Sequence, residues 1–124
     1  MARILLIEDN LSYRYALSEA LLSFGHTVTE AVNGKEALKL LPTADPELII
    51  TDIVMPEFDG IELLVALRTR RAPVKVIAMS AGGMRPATEY LNLAKVLGAA
   101  KVLQKPFDLL TLKEAIAELL PVPA

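Results

Sequence analysis

Three short aliphatic runs, each ending beside a polar or acidic residue, constrain the fold of this chain more than any other feature. They occupy residues 4–7, 48–51 and 74–79. Each is too short for a helix and is apolar at nearly consecutive positions, the pattern of strands buried on both faces of a parallel sheet. The sequence therefore predicts a sheet that other elements cover on both sides.

Amphipathic segments separate these strands. Residues 11–24 repeat apolar side chains at spacings of three and four, and Gly25 ends that segment. The same criteria predict four more helices, at residues 35–41 closed by Pro42, at 61–70 stopped by Pro73, at 87–97, and from the cap Asp108 to Pro121. Two weaker strands are predicted at residues 27–31 and 101–104.

Five strands, each followed by a helix, predict an α/β fold with a parallel sheet and helices on both faces. A barrel would need eight such units and about 250 residues, whereas this chain has 124 residues. An open, doubly wound sheet is therefore favoured, with its functional crevice beyond the carboxyl ends of the strands. No linker or repeat divides the chain, so we expect one domain over residues 1–124, in which 121–124 form a short tail.

Composition argues against several classes of function. The chain has no cysteine, which excludes thiolate chemistry and suits a reducing compartment, so we expect a cytoplasmic protein. Its net charge of -2 and the lack of a basic run argue against direct binding to nucleic acid. The apolar runs are too short to span a membrane, and the first residues enter a strand directly, so we expect no export signal.

Ionisable and hydroxyl side chains follow four of the five predicted strands: Glu8, Asp9, Asp52, Ser80 and Lys105. Parallel strands end at one edge, so three carboxylates would meet in one pocket. At about 4 Å and an effective dielectric near 20, each pair of like charges costs on the order of 4 kcal/mol. One lysine cannot offset three acids, and ligands that are all oxygen favour Mg²⁺ as the second cation.

Each of these residues has an ordinary structural explanation. Asp9 is suited to cap the first helix, Ser80 is followed by glycines as in many loops, and Asp59-Gly60 has the form of a turn. His26, which follows Gly25, is expected to be a solvated loop residue. The joint placement of acids, hydroxyl and lysine at successive strand ends favours a functional site instead.

The same residues resemble the receiver domain of two-component response regulators. The resemblance rests on residues 7–10, 51–56, 59–60, 79–81, 98–99 and 105–107. It implies a flavodoxin-like sheet of order 2-1-3-4-5, a phosphoryl acceptor at Asp52, a hydroxyl switch at Ser80 and a phosphate-pairing lysine at Lys105, which a cis peptide bond joins to Pro106. It also implies an Mg²⁺ site formed by Glu8, Asp9, Asp52 and the Val54 carbonyl.

The resemblance further implies a phosphoryl donor, a sensor histidine kinase or a histidine phosphotransferase, and a downstream protein target. A phosphorylation-dependent homodimer is a further option. Val54 and Gly82 are expected to border the path of the water that hydrolyses the acyl phosphate. We expect the protein to catalyse its own phosphorylation and dephosphorylation, without turnover of an external substrate.

Two departures from the family pattern affect the output. The family often has an aromatic residue three positions before the lysine, where this chain has Val102, so a relay from Ser80 to an aromatic ring cannot operate. The segment between Ser80 and Gly98 is also a few residues longer than in compact members of the family. We expect its loop and the helix that follows to carry the signal, with Met84 and Tyr90 as contact residues. After the last helix only residues 121–124 remain, so we expect neither DNA binding nor effector catalysis in this chain.

Three alternatives compete with this interpretation. A haloacid-dehalogenase-like phosphatase needs a second acid two residues after its nucleophile, and Val54 stands there. A flavodoxin-like nucleotide binder needs a glycine-rich turn after the first strand, but residues 8–12 are acidic and lack glycine. A protein-docking module that keeps the fold without phosphorylation stays open.

Overall fold

The computed structural model describes residues 2–55, 59–70 and 74–120, in which five strands alternate with five helices. The strands are β1 Arg3–Ile7, β2 Thr27–Ala31, β3 Leu48–Asp52, β4 Lys75–Ser80 and β5 Lys101–Gln104. The helices are α1 Leu11–Ser23, α2 Gly34–Ala44, α3 Gly60–Thr69, α4 Ala87–Val96 and α5 Leu109–Leu119. Within the described ranges, no helix has the length and apolar character needed to cross a lipid bilayer.

The strands form one parallel sheet in the order β2-β1-β3-β4-β5, which confirms the predicted fold class and strand order. The chain starts in the middle of the sheet, moves to one edge, then returns past β1 and continues to the other edge. The order therefore reverses between β1 and β3, where an open α/β sheet forms its crevice.

The core lies on both faces of the sheet because successive side chains of a strand point to opposite sides. In β1, Leu5 and Ile7 join the cluster formed with α2, α3 and α4, whereas Ile4 and Leu6 join the cluster formed with α1 and α5. All four side chains are almost completely buried. Burying an aliphatic side chain of this size stabilises the fold by about 1.5 to 3 kcal/mol. A charged residue at a buried strand end lacks this gain, and its burial costs free energy unless the charge is paired.

Short polar residues begin four of the helices by accepting a hydrogen bond from an otherwise unpaired backbone N–H. The caps are Asn10 for α1, Asn33 for α2, Asp59 for α3 and Asp108 for α5. Asp59 forms a capping box, since the Glu62 side chain also accepts from the Asp59 N–H. The cap of α1 is Asn10, so the first helix does not need Asp9 for this purpose.

The prediction that Pro42 closes the second helix was wrong. Helix α2 continues to Ala44, with Pro42 in its last turn. The ring removes one backbone donor, but the Asp45 N–H still bonds to the Leu41 carbonyl at 2.9 Å. Asp45 then ends the helix with a φ of 41°, in the left-handed region that Asp tolerates better than most residues.

His26 lies in the loop between α1 and β2, as expected, but it is only partly solvated. Its side chain is half-buried, and Nδ1 accepts a hydrogen bond of 3.1 Å from the Ala2 N–H. The other predicted boundaries agree with the structure within about one residue. The stops predicted at Pro73 and Pro121, and the middle of the turn at residues 56–58, lie outside the described residues.

Candidate phosphoryl-acceptor site

The strand register brings the predicted site residues to one edge of the sheet. Ile7 in β1 pairs with Thr51 in β3, and Asp52 pairs with Met79 in β4. Ser80 in turn pairs with Gln104, the last residue of β5. Glu8, Asp52, Ser80 and Lys105 therefore lie within about one residue of the same edge.

Three carboxylates form a cluster at this edge. Glu8, Asp9 and Asp52 each offer an oxygen, and these atoms lie within 4.8 Å of one another. Glu8 and Asp52 are buried, with 1% and 7% of their surface exposed, whereas Asp9 is open to solvent. A set of oxygen donors with one solvated side fits a hard divalent cation that keeps part of its water shell. The cluster is therefore a candidate divalent-metal site.

Lys105 places an ammonium among these acids. Its Nζ donates a hydrogen bond of 2.5 Å to Glu8 Oε1 and lies 3.4 Å from Asp52 Oδ1. Without a metal ion, one ammonium faces three carboxylates, which leaves an excess of negative charge at the mouth of the pocket. This arrangement agrees with the electrostatic expectation from the sequence.

Burial and charge shift the protonation of the site in a consistent direction. Burial raises the pKa of both Glu8 and Asp52, and the Lys105 ammonium offsets only part of this rise. For Lys105, burial works to lower the pKa, but the hydrogen bond to Glu8 and the charge of Asp52 outweigh it and raise the pKa. Lys105 is therefore a permanent cation at neutral pH.

The backbone around Asp52 is fixed by β4 and α3. The Ile53 N–H bonds to the Met79 carbonyl, and the Gly60 N–H bonds to the Ile53 carbonyl, each at 2.9 Å. A β-carbon on Gly60 would lie 2.5 Å from the Asp52 carbonyl oxygen, so only glycine permits this close approach. The Asp59-Gly60 pair, predicted as a turn, is thus the start of α3, which packs against the end of β3.

Ser80 is completely buried at the end of β4. Its Oγ accepts a hydrogen bond of 2.9 Å from the Gly82 N–H, and its carbonyl accepts one of 2.9 Å from the Lys105 N–H. The Lys105-Pro106 peptide bond is cis, as expected. Ser80 therefore connects the loop before α4 with the strand end that carries the lysine.

A family model, described as the response regulator receiver domain, matches residues 4–117. The chain belongs to this family. Members of the receiver family accept a phosphoryl group and act as signalling switches, and that is the class of function of this chain.

Known relatives and solved structures agree over nearly the full length. The chain is 31% identical to Sporulation initiation phosphotransferase F of Bacillus subtilis, over 97% of this chain and 94% of that protein. It is 35% identical to the Probable chemotaxis protein CheY of Rhizobium etli, over 92% and 88%. The solved response regulator TrrA of Thermotoga maritima, in complex with Mg²⁺-BeF, superposes with a TM-score of 0.85 at 32% identity, over 97% and 100%.

The loop after β4 packs beside Val54. That Val54 and Gly82 border the path of the hydrolytic water stays a prediction. Gly83 lies against Val54, because a β-carbon on Gly83 would be 3.1 Å from Val54 Cγ1. The Tyr90 hydroxyl would be 3.3 Å from the same β-carbon. Gly82 has a φ of 96° and is packed near the backbone of Ala87. The loop turns at Gly82, which brings the next residue to Val54.

Tyr90 and Val102, two of the residues assigned to output, pack on the same face of the sheet. Met84 is fully exposed, whereas Tyr90 is half-buried against the cluster that contains α4. Val102, which stands where many receivers have an aromatic residue, also packs against that cluster and pairs with Ala78. The structure thus places Tyr90 and Val102 around α4 and β5, and Met84 at the surface of the loop before α4.

Two residues near the site were not singled out in the sequence. Asn10 Oδ1 accepts from the Tyr13 N–H at 2.9 Å, and the Asn10 N–H donates to Glu8 Oε2 at 3.3 Å. The preference of Asn for helix caps was a usable signal for Asn10. Tyr13 contacts Lys105 through its ring; in the sequence it is simply one apolar position of a helix.

Proposed function

We propose that Asp52 is the phosphoryl acceptor of this receiver domain, and that the donor is a phosphohistidine of a sensor histidine kinase or a histidine phosphotransferase. One observation carries the proposal. The Asp52 carboxylate is buried, contributes to the cluster with Glu8 and Asp9, and lies 3.4 Å from the Lys105 ammonium. A nucleophilic carboxylate for phosphoryl transfer needs this combination of metal ligands and a cation.

The proposal assigns Mg²⁺ to the acidic cluster. Glu8, Asp9 and Asp52 would hold the ion through carboxylate oxygens, with the Val54 carbonyl as a further ligand. The donor set supports this choice, since it consists of oxygen only and has a solvated side. The relative TrrA was solved in complex with Mg²⁺-BeF, which supports the same ion here. When bound, Mg²⁺ neutralises the oxygens of the transferring phosphoryl group.

The chemical step is a displacement at phosphorus by an Asp52 oxygen. The new oxygen–phosphorus bond forms while the phosphorus–nitrogen bond of the donor breaks, and the electron pair of that bond returns to the imidazole nitrogen. Lys105 is within reach of the product, because its ammonium already lies beside Asp52. Hydrolysis of the acyl phosphate by water returns Asp52 to a free carboxylate and limits the lifetime of the signal.

Ser80 is proposed to convert phosphorylation into a change of the loop before α4. Its hydroxyl is buried one residue beyond the strand partner of Asp52, and it already accepts a hydrogen bond from the Gly82 N–H. Donation of the hydroxyl proton to a phosphoryl oxygen would move this loop and shift the population of the surface around Met84 and Tyr90. A downstream protein would then bind this surface. We expect this exchange to take place in the cytoplasm.

Acetyl phosphate tests the acceptor directly. After incubation with acetyl phosphate and Mg²⁺, intact-mass spectrometry should show the gain of one phosphoryl group, and Asp52→Asn should show none. The matched control is Asp45→Asn, which makes the same change at an exposed residue beside Arg3, at the start of β1 and thus at the opposite edge of the sheet. Omission of Mg²⁺ should also abolish the adduct.

Two outcomes would contradict the proposal. A wild-type protein that gains no phosphoryl group, from acetyl phosphate or from a set of phosphorylated histidine kinases, would favour the protein-docking module instead. An adduct that persists in Asp52→Asn at the wild-type level would place the acceptor elsewhere.

A further inference from the structure

The ring of Tyr13 lies against the Lys105 ammonium, which also contacts the acidic cluster. The Lys105 Nζ lies 4.3 Å from the centroid of this ring, well within the distance of a cation–π interaction. The same ammonium contacts Glu8 and Asp52. The cation is thus held by two acids and by the face of an aromatic ring.

Neighbouring elements hold the Tyr13 ring in place. Its backbone N–H is bonded to the cap residue Asn10, so the start of α1 sets its position. The Phe107 ring meets it edge-on, with centroids 6.4 Å apart and an angle of 80° between the planes. Phe107 follows Lys105 by two residues, so the loop after β5 supplies both the lysine and the aromatic partner of Tyr13.

A ring is suited to this position because of the charge in the pocket. A lysine side chain is flexible and loses rotamer freedom when it is held in one place. A fourth carboxylate would restrain the ammonium but would add to the excess of negative charge. An aromatic face attracts the cation without adding a net charge.

We propose that Tyr13 is a positioning residue, which holds the Lys105 ammonium beside Asp52 for phosphoryl transfer. The inference rests on the proposed function of Asp52. Without the ring, the lysine has more conformations outside the pocket, and fewer molecules hold the cation where the phosphoryl oxygens arrive. The ring of phenylalanine offers the same face, so the hydroxyl of Tyr13 is not required.

The experiment compares Tyr13→Leu with Tyr13→Phe and uses Tyr15→Leu as a matched control. Tyr15 stands on the same helix, and 65% of its surface is exposed. The first measurement is the NMR shift of the Lys105 side-chain methylene groups, which an adjacent aromatic face moves upfield. The second is the rate of phosphorylation by acetyl phosphate with Mg²⁺.

We expect Tyr13→Leu to remove the upfield shift and to slow phosphorylation about three- to tenfold. Tyr13→Phe should retain the shift and the rate within about twofold, and Tyr15→Leu should match the wild type. A purely structural role for Tyr13 would lower the unfolding midpoint of Tyr13→Leu but leave the rate of the folded protein unchanged.

The outcomes separate this inference from the proposed function. If the wild type gains no phosphoryl group, the assignment of Asp52 is wrong, and the role of Tyr13 is lost with it. If the wild type is phosphorylated and Tyr13→Leu reacts at the same rate, only the role of Tyr13 is wrong. Equal losses in Tyr13→Phe and Tyr13→Leu would also overturn it, because they would assign the effect to the hydroxyl.

Discussion

Burial controls the protonation of single residues in this protein, with a sign that depends on the charge of the group. It raises the pKa of the carboxyl groups of Glu8 and Asp52 and lowers the pKa of the His26 imidazole. In each case the neutral form tolerates the low dielectric better than the charged form. Each of these groups therefore links the stability of the fold to pH.

His26 gives a pH dependence that one substitution can isolate. Because its folded-state pKa lies below 6.5, the unfolded chain takes up a proton first as the pH falls. The free energy of unfolding should therefore decrease below pH 6.5 and become constant for this group below its lowered pKa. His26→Gln should remove this dependence. Urea unfolding at a series of pH values measures it.

NMR titration provides the control, because His26 is the only histidine in the sequence. Its imidazole signals should report a pKa below 6.5. An equal pH dependence in wild type and His26→Gln, or an imidazole pKa at or above 6.5, would contradict the prediction.

At the scale of elements, the contact between the start of α3 and the end of β3 fixes the position of the strand end that carries Asp52. Helix α3 begins at Gly60, where a β-carbon would meet the Asp52 carbonyl oxygen at 2.5 Å and the Ile53 α-carbon at 2.8 Å. Both of these are backbone atoms, so neither can rotate away. The capping box of Asp59 and Glu62 sets the direction of the helix at the same point.

Gly60→Ala should therefore destabilise the protein by about 2 kcal/mol or more, since the helix and the strand must move apart. It should also slow phosphorylation, because the strand that moves carries Asp52. Gly25→Ala is the matched control: nothing lies within 4 Å of its β-carbon, and only the φ of 94° opposes the change. That strain costs about 1 kcal/mol. Urea unfolding and the acetyl phosphate assay measure both effects.

A comparable loss of stability in the two glycine variants, with unchanged phosphorylation in Gly60→Ala, would argue against this role of the α3 contact. The position of Asp52 would then depend mainly on the strand pairing between β3 and β4.

For the whole molecule, the cluster of acids lowers the stability of the metal-free fold. Three elements meet at one edge and bring three carboxylates against one ammonium. The raised pKa of Asp52 means that ionisation above its ordinary value of 3.8 is less favourable in the folded than in the unfolded state. At neutral pH without metal, the ionised Asp52 therefore lowers the free energy of unfolding.

Asp52→Asn should for this reason be more stable than the wild type in EDTA, by on the order of 1 kcal/mol. Addition of Mg²⁺ should stabilise the wild type by about 1.4 kcal/mol at ten times the dissociation constant. The variant should gain less, since it has lost a ligand. Urea unfolding with and without Mg²⁺ measures both the difference in stability in EDTA and the stabilisation by the metal. Asp45→Asn should behave as the wild type.

A wild type that is more stable than Asp52→Asn in EDTA would show that Lys105 more than compensates the buried charge. Equal stabilisation of the two proteins by Mg²⁺ would argue against Asp52 as a metal ligand.

The sequence by itself determined the helices and strands, their alternation along the chain, and the edge of the sheet at which the site residues meet. Buried strands need consecutive apolar residues and helices need a period near 3.6, so residues 4–7 and 11–24 could be assigned without a structure. Parallel strands end at one edge, and this rule brought Glu8, Asp52 and Lys105 together before any distance was known. These predictions depend on patterns that are local in the chain.

Only the tertiary structure decided which side chains touch. The ring of Tyr13 over Lys105, the close approach of Gly60 to Asp52 and the contact of Gly83 with Val54 join residues from different elements. Their separations depend on how the helices pack on the sheet, at a precision of about one ångström that no local pattern carries. The site was therefore predictable as a set of residues, but its geometry required the packed fold.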